Sequence, residues 1–151
     1  MYNSILVATD LSPKACNALK HAIKLAHLFN SKIILINVHE EFMDKKELVM
    51  SRVNVENIQE SYRQTSLKAK EEIKDILDKL DGDDIPTEFI IREGKASDII
   101  LDLSKALKPD LIIMGSNGKD SITDYILGTT TSKVVDNSSF PVLVIPDVIN
   151  D

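Results

Sequence analysis

Residues 110–118 read Asp-Leu-Ile-Ile-Met-Gly-Ser-Asn-Gly, an apolar run of strand length that ends in Gly115 and Gly118. Such a run, bounded by turn residues, is typical of a strand buried on both faces. After nine further residues come Gly128 and Thr129, which begin a predicted helix. Glycine lets backbone N–H groups approach an anion closely, and the first N–H groups of a helix have no partner within it. The spacing G-x2-G-x9-G-T therefore favours a phosphate-binding cradle over a pair of plain loop turns.

Strands and helices alternate on either side of this stretch. Apolar runs predict strands at residues 3–9, 32–38, 85–91, 110–114 and 140–146. Apolar residues at helical spacing predict helices at residues 13–29, 55–80, 96–107 and 129–136. The alternation predicts a single α/β domain over residues 1–151, with a doubly wound, Rossmann-like sheet of five parallel strands and helices on both faces.

Several local features refine this architecture. Ser12 and the following proline are expected to cap the first helix. Pro86 at the start of the third strand predicts an edge position, since proline cannot donate a hydrogen bond to a neighbouring strand. In the helix at 55–80, Leu67 is expected to belong to the apolar stripe, and Asp81-Gly82 to end the helix with a left-handed cap. The polar, aperiodic stretch 39–54 is predicted to be a loop or lid.

The composition is that of a globular protein, with 43% hydrophobic and 28% charged residues among 151. The sequence contains no apolar run long enough to predict a membrane span. A formal net charge of −6 repels polyanions, so a nucleic-acid partner is not expected. The first residues lack the basic and apolar regions of a signal peptide, and a cytoplasmic location is expected.

Three of the predicted strands end in small or polar residues that a parallel sheet would bring to one edge. They are the strands that end in Ala8-Thr9-Asp10, Val38-His39 and Met114-Gly115. Doubly wound sheets bind ligands outside the carboxyl ends of their strands, where the strand order reverses. The three strand ends are therefore predicted to line one crevice together with the glycine spacing.

These segments resemble the universal stress protein family. The resemblance is carried by Ile5-Leu-Val-Ala-Thr-Asp10 followed by Ser12, by residues 110–118 with Gly128-Thr129, and by Pro141-Val-Leu-Val-Ile145. It extends over nearly the whole chain except the 39–54 stretch. Family members that keep G-x2-G-x9-G-[ST] bind ATP, so the resemblance implies that this chain binds ATP together with Mg²⁺.

The resemblance assigns the phosphates to the glycine spacing. They would be held by Gly115, Gly118, Gly128 and Thr129, with Thr130 beside them. Thr130 is a departure from the family, which often carries a small apolar residue at that position. The sequence has no G-x4-G-K-[ST] loop of the kind that dedicated ATPases use, so hydrolysis is expected to be slow or absent.

The resemblance places the nucleoside at the other strand ends. Thr9 and Asp10 would face the ribose and the triphosphate, and Asp10 would reach Mg²⁺ through water. Val38 would present its backbone to adenine, while Ala8 and Met114 would line the pocket. From the residues alone, Asp10 has a second interpretation, because a carboxylate at this position could instead cap the helix that follows.

The three histidines do not predict a metal site. His21 and His27 are six residues apart on one helix and so point to different faces, and His39 follows the second strand. No metal-ligating histidine is therefore expected, and His39 is interpreted as a loop residue that could border the adenine pocket.

The last strand carries the prediction about assembly. Val142-Leu143-Val144-Ile145 is apolar and is expected to be an edge strand, which invites pairing with another chain. The resemblance implies antiparallel pairing in a homodimer, and a nucleotide-dependent regulatory role in the stress response. Two alternatives remain open. One is a slow ATPase or another adenine-nucleotide enzyme, and the other is a dimeric adaptor that needs no nucleotide.

Overall fold

The computed structural model describes residues 1–40, 55–117 and 127–146. The strands in these ranges are β1 (Ser4–Thr9), β2 (Lys32–His39), β3 (Thr87–Glu93), β4 (Leu111–Gly115) and β5 (Val142–Ile145). The helices are α1 (Pro13–Phe29), α2 (Val55–Lys79), α3 (Ala96–Leu107) and α4 (Thr129–Asn137). Residues 41–54, most of the predicted loop, and Gly118 lie outside the described residues.

The five strands form one parallel sheet in the order β3-β2-β1-β4-β5. The chain runs outward from β1 to β3 on one side, then returns to place β4 and β5 on the other. The predicted doubly wound architecture is therefore confirmed, and so are the predicted edge positions of β3 and β5. The order reverses between β1 and β4.

Side chains alternate between two cores, one on each face of the sheet. On one face, Ile5 and Val7 of β1 pack in a cluster with residues of α1 and α2, among them Leu19 and Ile73. On the other face, Leu6 packs in a cluster with residues of α3 and α4. We call these the α1/α2 face and the α3/α4 face. None of the helices in the described ranges is both long and apolar enough to cross a membrane.

Helix α1 begins and ends at its predicted residues. The Ser12 hydroxyl accepts a hydrogen bond from the Ala15 amide at 3.2 Å, and Pro13 occupies the first turn, where its missing N–H is no loss. Asn30 ends the helix in the left-handed conformation with φ of 54°. Short polar side chains tolerate this conformation. The position of α1 fixes the turn that connects it to β1.

Two details of helix α2 differ from the predictions. Leu67, expected in the buried stripe, is 50% exposed, and Ala69 is buried instead. Ala69 lies four residues before the buried Ile73, on the same side of the helix, whereas Leu67 lies six residues before it. The left-handed residue after the helix is Asp81, with φ of 56°, and not Gly82. A Cβ on Gly82 would lie 2.8 Å from Cδ1 of Ile23, so this glycine allows close packing against α1.

Strand β3 begins two residues later than predicted. The Pro86 carbonyl accepts a hydrogen bond from the Ile33 amide at 2.9 Å, and regular pairing with β2 starts at Thr87. The strand continues until Glu93 is level with His39 at the end of β2. This extension carries the chain to the same edge of the sheet as the ends of β1, β2 and β4.

Candidate functional site

The carboxyl ends of β1, β2 and β4 lie side by side, as predicted. Strand β1 pairs with β2 on one side and with β4 on the other. Thr9 at the end of β1 is level with Asn37 of β2. The Asn37 side chain donates from Nδ2 to the Thr9 carbonyl oxygen over 3.2 Å and so ties the two strand ends together. This edge is where doubly wound sheets bind ligands.

The apolar residues expected to line an adenine pocket share one face of the sheet. Ala8, Val38 and Met114 all pack in the core of the α3/α4 face. Met114 is buried, whereas Ala8 and Val38 are only partly buried. Thr9 points to the opposite face because successive strand residues alternate. An adenine ring beside Ala8 and Val38 would therefore lie on the side of the sheet that α3 and α4 cover.

The turn after β1 is built from side-chain hydrogen bonds. The Thr9 hydroxyl accepts from the Leu11 amide at 3.1 Å, and the Asp10 carboxylate accepts from the Ser12 amide at 2.9 Å. Leu11 has a positive φ of 64°. Ser12 caps α1, so the alternative in which Asp10 is the cap is wrong. Asp10 shapes the turn instead, and its half-buried carboxylate stays at the edge of the crevice.

The connection from β4 to α4 is closed by two hydrogen bonds. The Gly128 amide donates to the Ser116 carbonyl oxygen at 2.8 Å. The Thr131 hydroxyl donates to the Gly115 carbonyl oxygen, also at 2.8 Å. Together they hold the start of α4 directly against the end of β4. Gly128 is the N-cap of α4 and has no side chain that could accept a hydrogen bond from the helix start. The first backbone amides of α4 are therefore suited to binding an anion.

The backbone of Gly128 does not itself require glycine. Its φ is −60°, a value that any residue adopts. A Cβ there would lie 3.5 Å from the Cα of Asn117 and from the Ser116 carbonyl oxygen, which is ordinary contact. Gly94 is different, because its φ of 142° belongs to a region that side chains rarely adopt. Because neither its backbone conformation nor its packing requires glycine, the role of Gly128 that remains to be tested is to let a ligand approach the backbone closely.

A pocket of about 340 Å³ opens between the starts of α3 and α4. It is lined by Glu40, Gly94, Lys95, Ser97, Thr129, Thr130 and Lys133. Two of these, Thr129 and Thr130, are predicted site residues, and the others come from the end of β2, the start of α3 and the body of α4. The Glu40 carboxylate accepts a hydrogen bond from the Ala96 amide at 2.8 Å. A negative charge thus already occupies the N-terminal end of α3, as its dipole favours.

Two lysines face each other across this pocket. The contact between the Lys95 and Lys133 side chains raises the pKa of Lys95, with a further contribution from the nearby Asp98 carboxylate. The same contact and then the positive charge of Lys95 lower the pKa of Lys133. The pair concentrates positive charge in an acidic protein, beside the helix start that the glycine spacing predicted.

Three buried polar atoms at this edge have no hydrogen-bond partner among the described residues. They are Oδ1 of Asn37 and the hydroxyls of Ser97 and Ser116. The Asn37 and Ser97 residues are each only 2% exposed. Burying a polar atom without a partner costs free energy, so each one calls for an explanation such as a ligand or water. Sequence reasoning missed Asn37, although an asparagine within an otherwise apolar strand was a visible signal.

Other reactive groups nearby do not suggest nucleophilic or metal chemistry. Burial raises the pKa of the Cys16 thiol, and the negative charge of Asp10 adds to the effect. The thiol is therefore a poor nucleophile. Within the described ranges, His, Cys, Asp and Glu side chains form no cluster of three that could hold a metal ion. His27 contacts Asp84, and His21 contacts the carbonyl oxygen of Asn17 in its own helix.

Comparison with known proteins identifies relatives along almost the entire chain. The family model for the universal stress protein family matches residues 1–146. Universal stress protein MJ0577 of Methanocaldococcus jannaschii is 30% identical over 154 residues, which cover 96% of this chain and 95% of the relative. A solved structure of MJ0577 matches with a TM-score of 0.80 and covers 98% of both chains.

More distant structures share the same fold. A universal stress protein in complex with cAMP matches with a TM-score of 0.64 at 20% identity, covering 96% of this chain and 97% of the other. The universal stress protein from Archaeoglobus fulgidus in complex with dAMP matches with a TM-score of 0.61 at 18% identity, covering 95% of this chain and 98% of the other. At these identities the likeness concerns the fold alone.

Proposed function

Because the chain belongs to the universal stress protein family, we propose that it binds ATP with Mg²⁺ and acts as a nucleotide-dependent regulatory dimer in the stress response. One observation carries the proposal. The start of α4, which Gly128 leaves without a side-chain cap, is held by hydrogen bonds against the end of β4, at the edge where the strand order reverses. Backbone amides in that position bind phosphate even on a protein of negative net charge, because they act at contact range.

The nucleoside would lie on the α3/α4 face. Adenine would contact the backbone of Val38, with Ala8 and Met114 lining its pocket. Their common position in one core supports this arrangement. The ribose and triphosphate would face Thr9 and Asp10, and Asp10 would contact Mg²⁺ through water. The half-buried carboxylate in the turn after β1 suits that role, since Mg²⁺ prefers oxygen ligands and keeps several of its waters.

The phosphates would lie along the connection between β4 and α4. The residues proposed to hold them are Gly115, Gly118, Gly128, Thr129 and Thr130. The universal stress proteins in complex with cAMP and dAMP support the choice of an adenine nucleotide only through the fold that they share with this chain. The geometry of the strand ends and of the helix start supports these assignments except that of Gly118, which lies outside the described residues and rests on the family resemblance.

Calorimetric titration of the full chain with ATP and Mg²⁺ tests the site. The wild type should bind one ATP per chain. Gly128→Val places two further carbons where even a Cβ is already in contact with the Ser116-Asn117 turn, and we expect ATP affinity to fall about tenfold or more. Leu127→Val, at an adjacent residue that is 44% exposed, is the matched control and should bind normally. Equal ATP affinity in a folded Gly128→Val protein would falsify the assignment.

Dimerisation is proposed to occur through β5. This strand is at the edge of the sheet, and its Leu143 side chain is 37% exposed. Residues Val142-Leu143-Val144-Ile145 would pair antiparallel with the same strand of a second copy, which satisfies the unpaired edge groups. Leu143→Lys should shift the mass measured by light scattering toward the monomer because two lysines meet across the two-fold axis. Val135→Lys, at a 42% exposed position on α4, should leave it unchanged.

The alternatives predict different outcomes. A nucleotide-independent adaptor would dimerise but bind no ATP in calorimetry. An enzyme would turn ATP over, whereas a regulatory protein needs only to bind it, because binding without preference for the transition state does not accelerate chemistry. A phosphate-release assay that gives about one turnover per second or faster would favour the enzyme. Release close to the uncatalysed rate would support regulation.

A further inference from the structure

The pocket between α3 and α4 extends beyond the proposed contacts with ATP. Its wall includes Lys95, Ser97 and Lys133, none of which belongs to the glycine spacing. Thr129 and Thr130 form the border that the pocket shares with the proposed nucleotide site. What the three additional side chains bind is therefore a separate question from whether the chain binds ATP.

The Ser97 hydroxyl is the first sign of a ligand. It lines the pocket, its residue is only 2% exposed, and it has no hydrogen-bond partner among the described residues. Ser97 is the second residue of α3, after the Lys95 N-cap and Ala96. A buried hydroxyl without a partner is a free-energy cost that a hydrogen-bonding ligand would remove.

The lysine pair is the second sign. Lys95 at the N-cap of α3 and Lys133 on α4 both line the pocket, so their ammonium groups repel each other there. An anion placed between two ammonium groups removes their mutual repulsion and gains a charge-assisted hydrogen bond from each. The two lysines come from different helices, so a compact anion with several oxygens fits them better than a single carboxylate.

The two helix starts complete the surroundings. Helix α4 begins at Thr129, and no side chain of its N-cap residue caps it. Helix α3 already receives the Glu40 carboxylate at the Ala96 amide. Among the described residues that line the pocket, Glu40 is the acidic one and Lys95 and Lys133 are the basic ones. The charge of Glu40 must oppose the entry of a further anion.

We propose that this pocket binds a phosphate group between Lys95 and Lys133, with the Ser97 hydroxyl and the start of α4 as further donors. The phosphate is either the terminal one of the bound nucleotide or a free phosphate ion. Only the first of these sources rests on the function proposed above. The Glu40 carboxylate keeps its hydrogen bond to the Ala96 amide at the start of α3, and its negative charge lowers the affinity of the pocket for phosphate.

The test is calorimetric titration of the full chain with inorganic phosphate, AMP and ATP at low ionic strength. Lys95→Ala and Lys133→Ala each remove one positive charge from the pocket. Lys24→Ala removes the same charge from an exposed position on α1, on the other face of the sheet, and is the matched control. Ser97→Ala removes the buried hydroxyl, and Glu40→Gln removes the opposing charge but keeps an oxygen for the Ala96 amide.

Each pocket lysine variant should weaken binding of a phosphate-bearing probe about fivefold or more, whereas Lys24→Ala should change it by less than about twofold because distant surface charges are screened. Ser97→Ala should weaken binding about threefold, and Glu40→Gln should tighten it about threefold. An effect on ATP without one on AMP identifies the terminal phosphates of the nucleotide. An effect on inorganic phosphate at unchanged ATP affinity identifies a free phosphate.

Either of these two patterns supports the proposal that the pocket binds a phosphate group. The proposal is overturned if Lys95→Ala and Lys133→Ala change the affinities for inorganic phosphate and ATP no more than Lys24→Ala does, or if the wild type binds neither probe. A wild type that binds inorganic phosphate through the two lysines but binds no ATP would contradict the proposed function and leave the phosphate pocket in place.

Discussion

The polar groups at the two ends of the sheet differ in how completely they are paired by hydrogen bonds. At the amino end, the Asp110 carboxylate accepts hydrogen bonds from the amides of Asn3 at 2.8 Å and Ser4 at 3.0 Å. The buried Ser31 hydroxyl donates to the Tyr2 carbonyl oxygen, and the Lys32 amide donates to the Asn3 carbonyl oxygen at 2.9 Å. These contacts join β1, β2 and β4 where the strands begin.

At the carboxyl end of the same strands, polar groups are buried but incompletely paired. Asn37, Ser97 and Ser116 each keep a buried side-chain oxygen without a partner in the part of the chain that the structure describes. The same sheet supplies both ends, so the difference does not follow from the architecture. Proteins commonly sacrifice some stability at functional sites, so the contrast supports the ligand site that we propose at the carboxyl end.

The largest expected effect comes from the amino end. Asp110→Ala removes the acceptor of two amides and should lower the free energy of unfolding by about 1–3 kcal/mol. Urea denaturation measures this loss. ATP affinity of the folded variant should remain that of the wild type, because the change lies at the far end of the strands. Asp110→Asn keeps one side-chain oxygen as an acceptor, so its free energy of unfolding should fall less than that of Asp110→Ala. A stable Asp110→Ala protein with impaired ATP binding would contradict the division between the two ends.

An opposite effect is expected at the carboxyl end. Ser97→Ala removes a buried hydroxyl that has no partner in the described part of the chain, and it introduces a better helix former. It should therefore raise the free energy of unfolding by about 0.5–1 kcal/mol. The same variant should bind phosphate more weakly, as described for the pocket. Ser104→Ala is a suitable control on α3, because the Ser104 hydroxyl donates to the Leu101 carbonyl oxygen at 2.8 Å. A Ser97→Ala protein less stable than the wild type would show that the hydroxyl already has a structural role.

A smaller effect should follow from capping α4. Gly128→Ser adds a side chain that can accept hydrogen bonds from the first amides of the helix, at a position whose φ of −60° suits any residue. Stability should rise by about 0.3 kcal/mol, while ATP affinity falls because the added hydroxyl competes for the same donors. Gly128→Ala adds a methyl group but no hydrogen-bond acceptor, so it distinguishes the effect of capping from the effect of the added side-chain volume. Thermal denaturation and ATP titration of the two variants measure both quantities, and unchanged ATP affinity in Gly128→Ser would argue against phosphate at this helix start.

The smallest effect concerns an exposed contact at the amino end. The Nε2 atom of His27 lies 3.0 Å from Oδ1 of Asp84, and this hydrogen bond lowers the pKa of Asp84. A carboxylate whose pKa is lower in the folded state adds stability above its unfolded pKa of about 3.9. That stability disappears as the pH falls through the folded pKa. His27→Ala should therefore be slightly less stable than the wild type near neutral pH and equal to it in strong acid. Urea denaturation at both pH values tests this, and a difference that grows on acidification would contradict it.

Much of the fold could be predicted from local sequence. All five strands and four helices that the sequence predicted are present, because apolar periodicity and the Ser12-Pro13 cap act within a few residues. The errors are local as well. Leu67 has the right residue type for a buried stripe but the wrong spacing from Ile73. Asp81 takes the left-handed conformation, whereas Gly82 allows close packing against Ile23 of a different helix.

The candidate site was predicted only where it is made of strand ends. Ala8, Val38 and Met114 could be brought together by reasoning about parallel strands, and they do share one core. The contact of Glu40 with Ala96 and the pairing of Lys95 with Lys133 could not be foreseen. The first depends on how the end of β2 lies against the start of α3, and the second on how far α3 and α4 are apart. No periodicity in the sequence encodes either distance.

By itself, the sequence determined the alternation of strands and helices, the edge at which a ligand would bind, and the family resemblance, because these follow from local patterns of apolar residues and glycines. The tertiary structure alone decided which polar groups are paired. Asp110 finds its two amides at Asn3 and Ser4, more than 100 residues away along the chain, whereas the buried Ser97 hydroxyl has no partner among the residues that the structure describes. Hydrogen bonding over such separations depends on packing between distant elements, so it emerges only when the chain is folded.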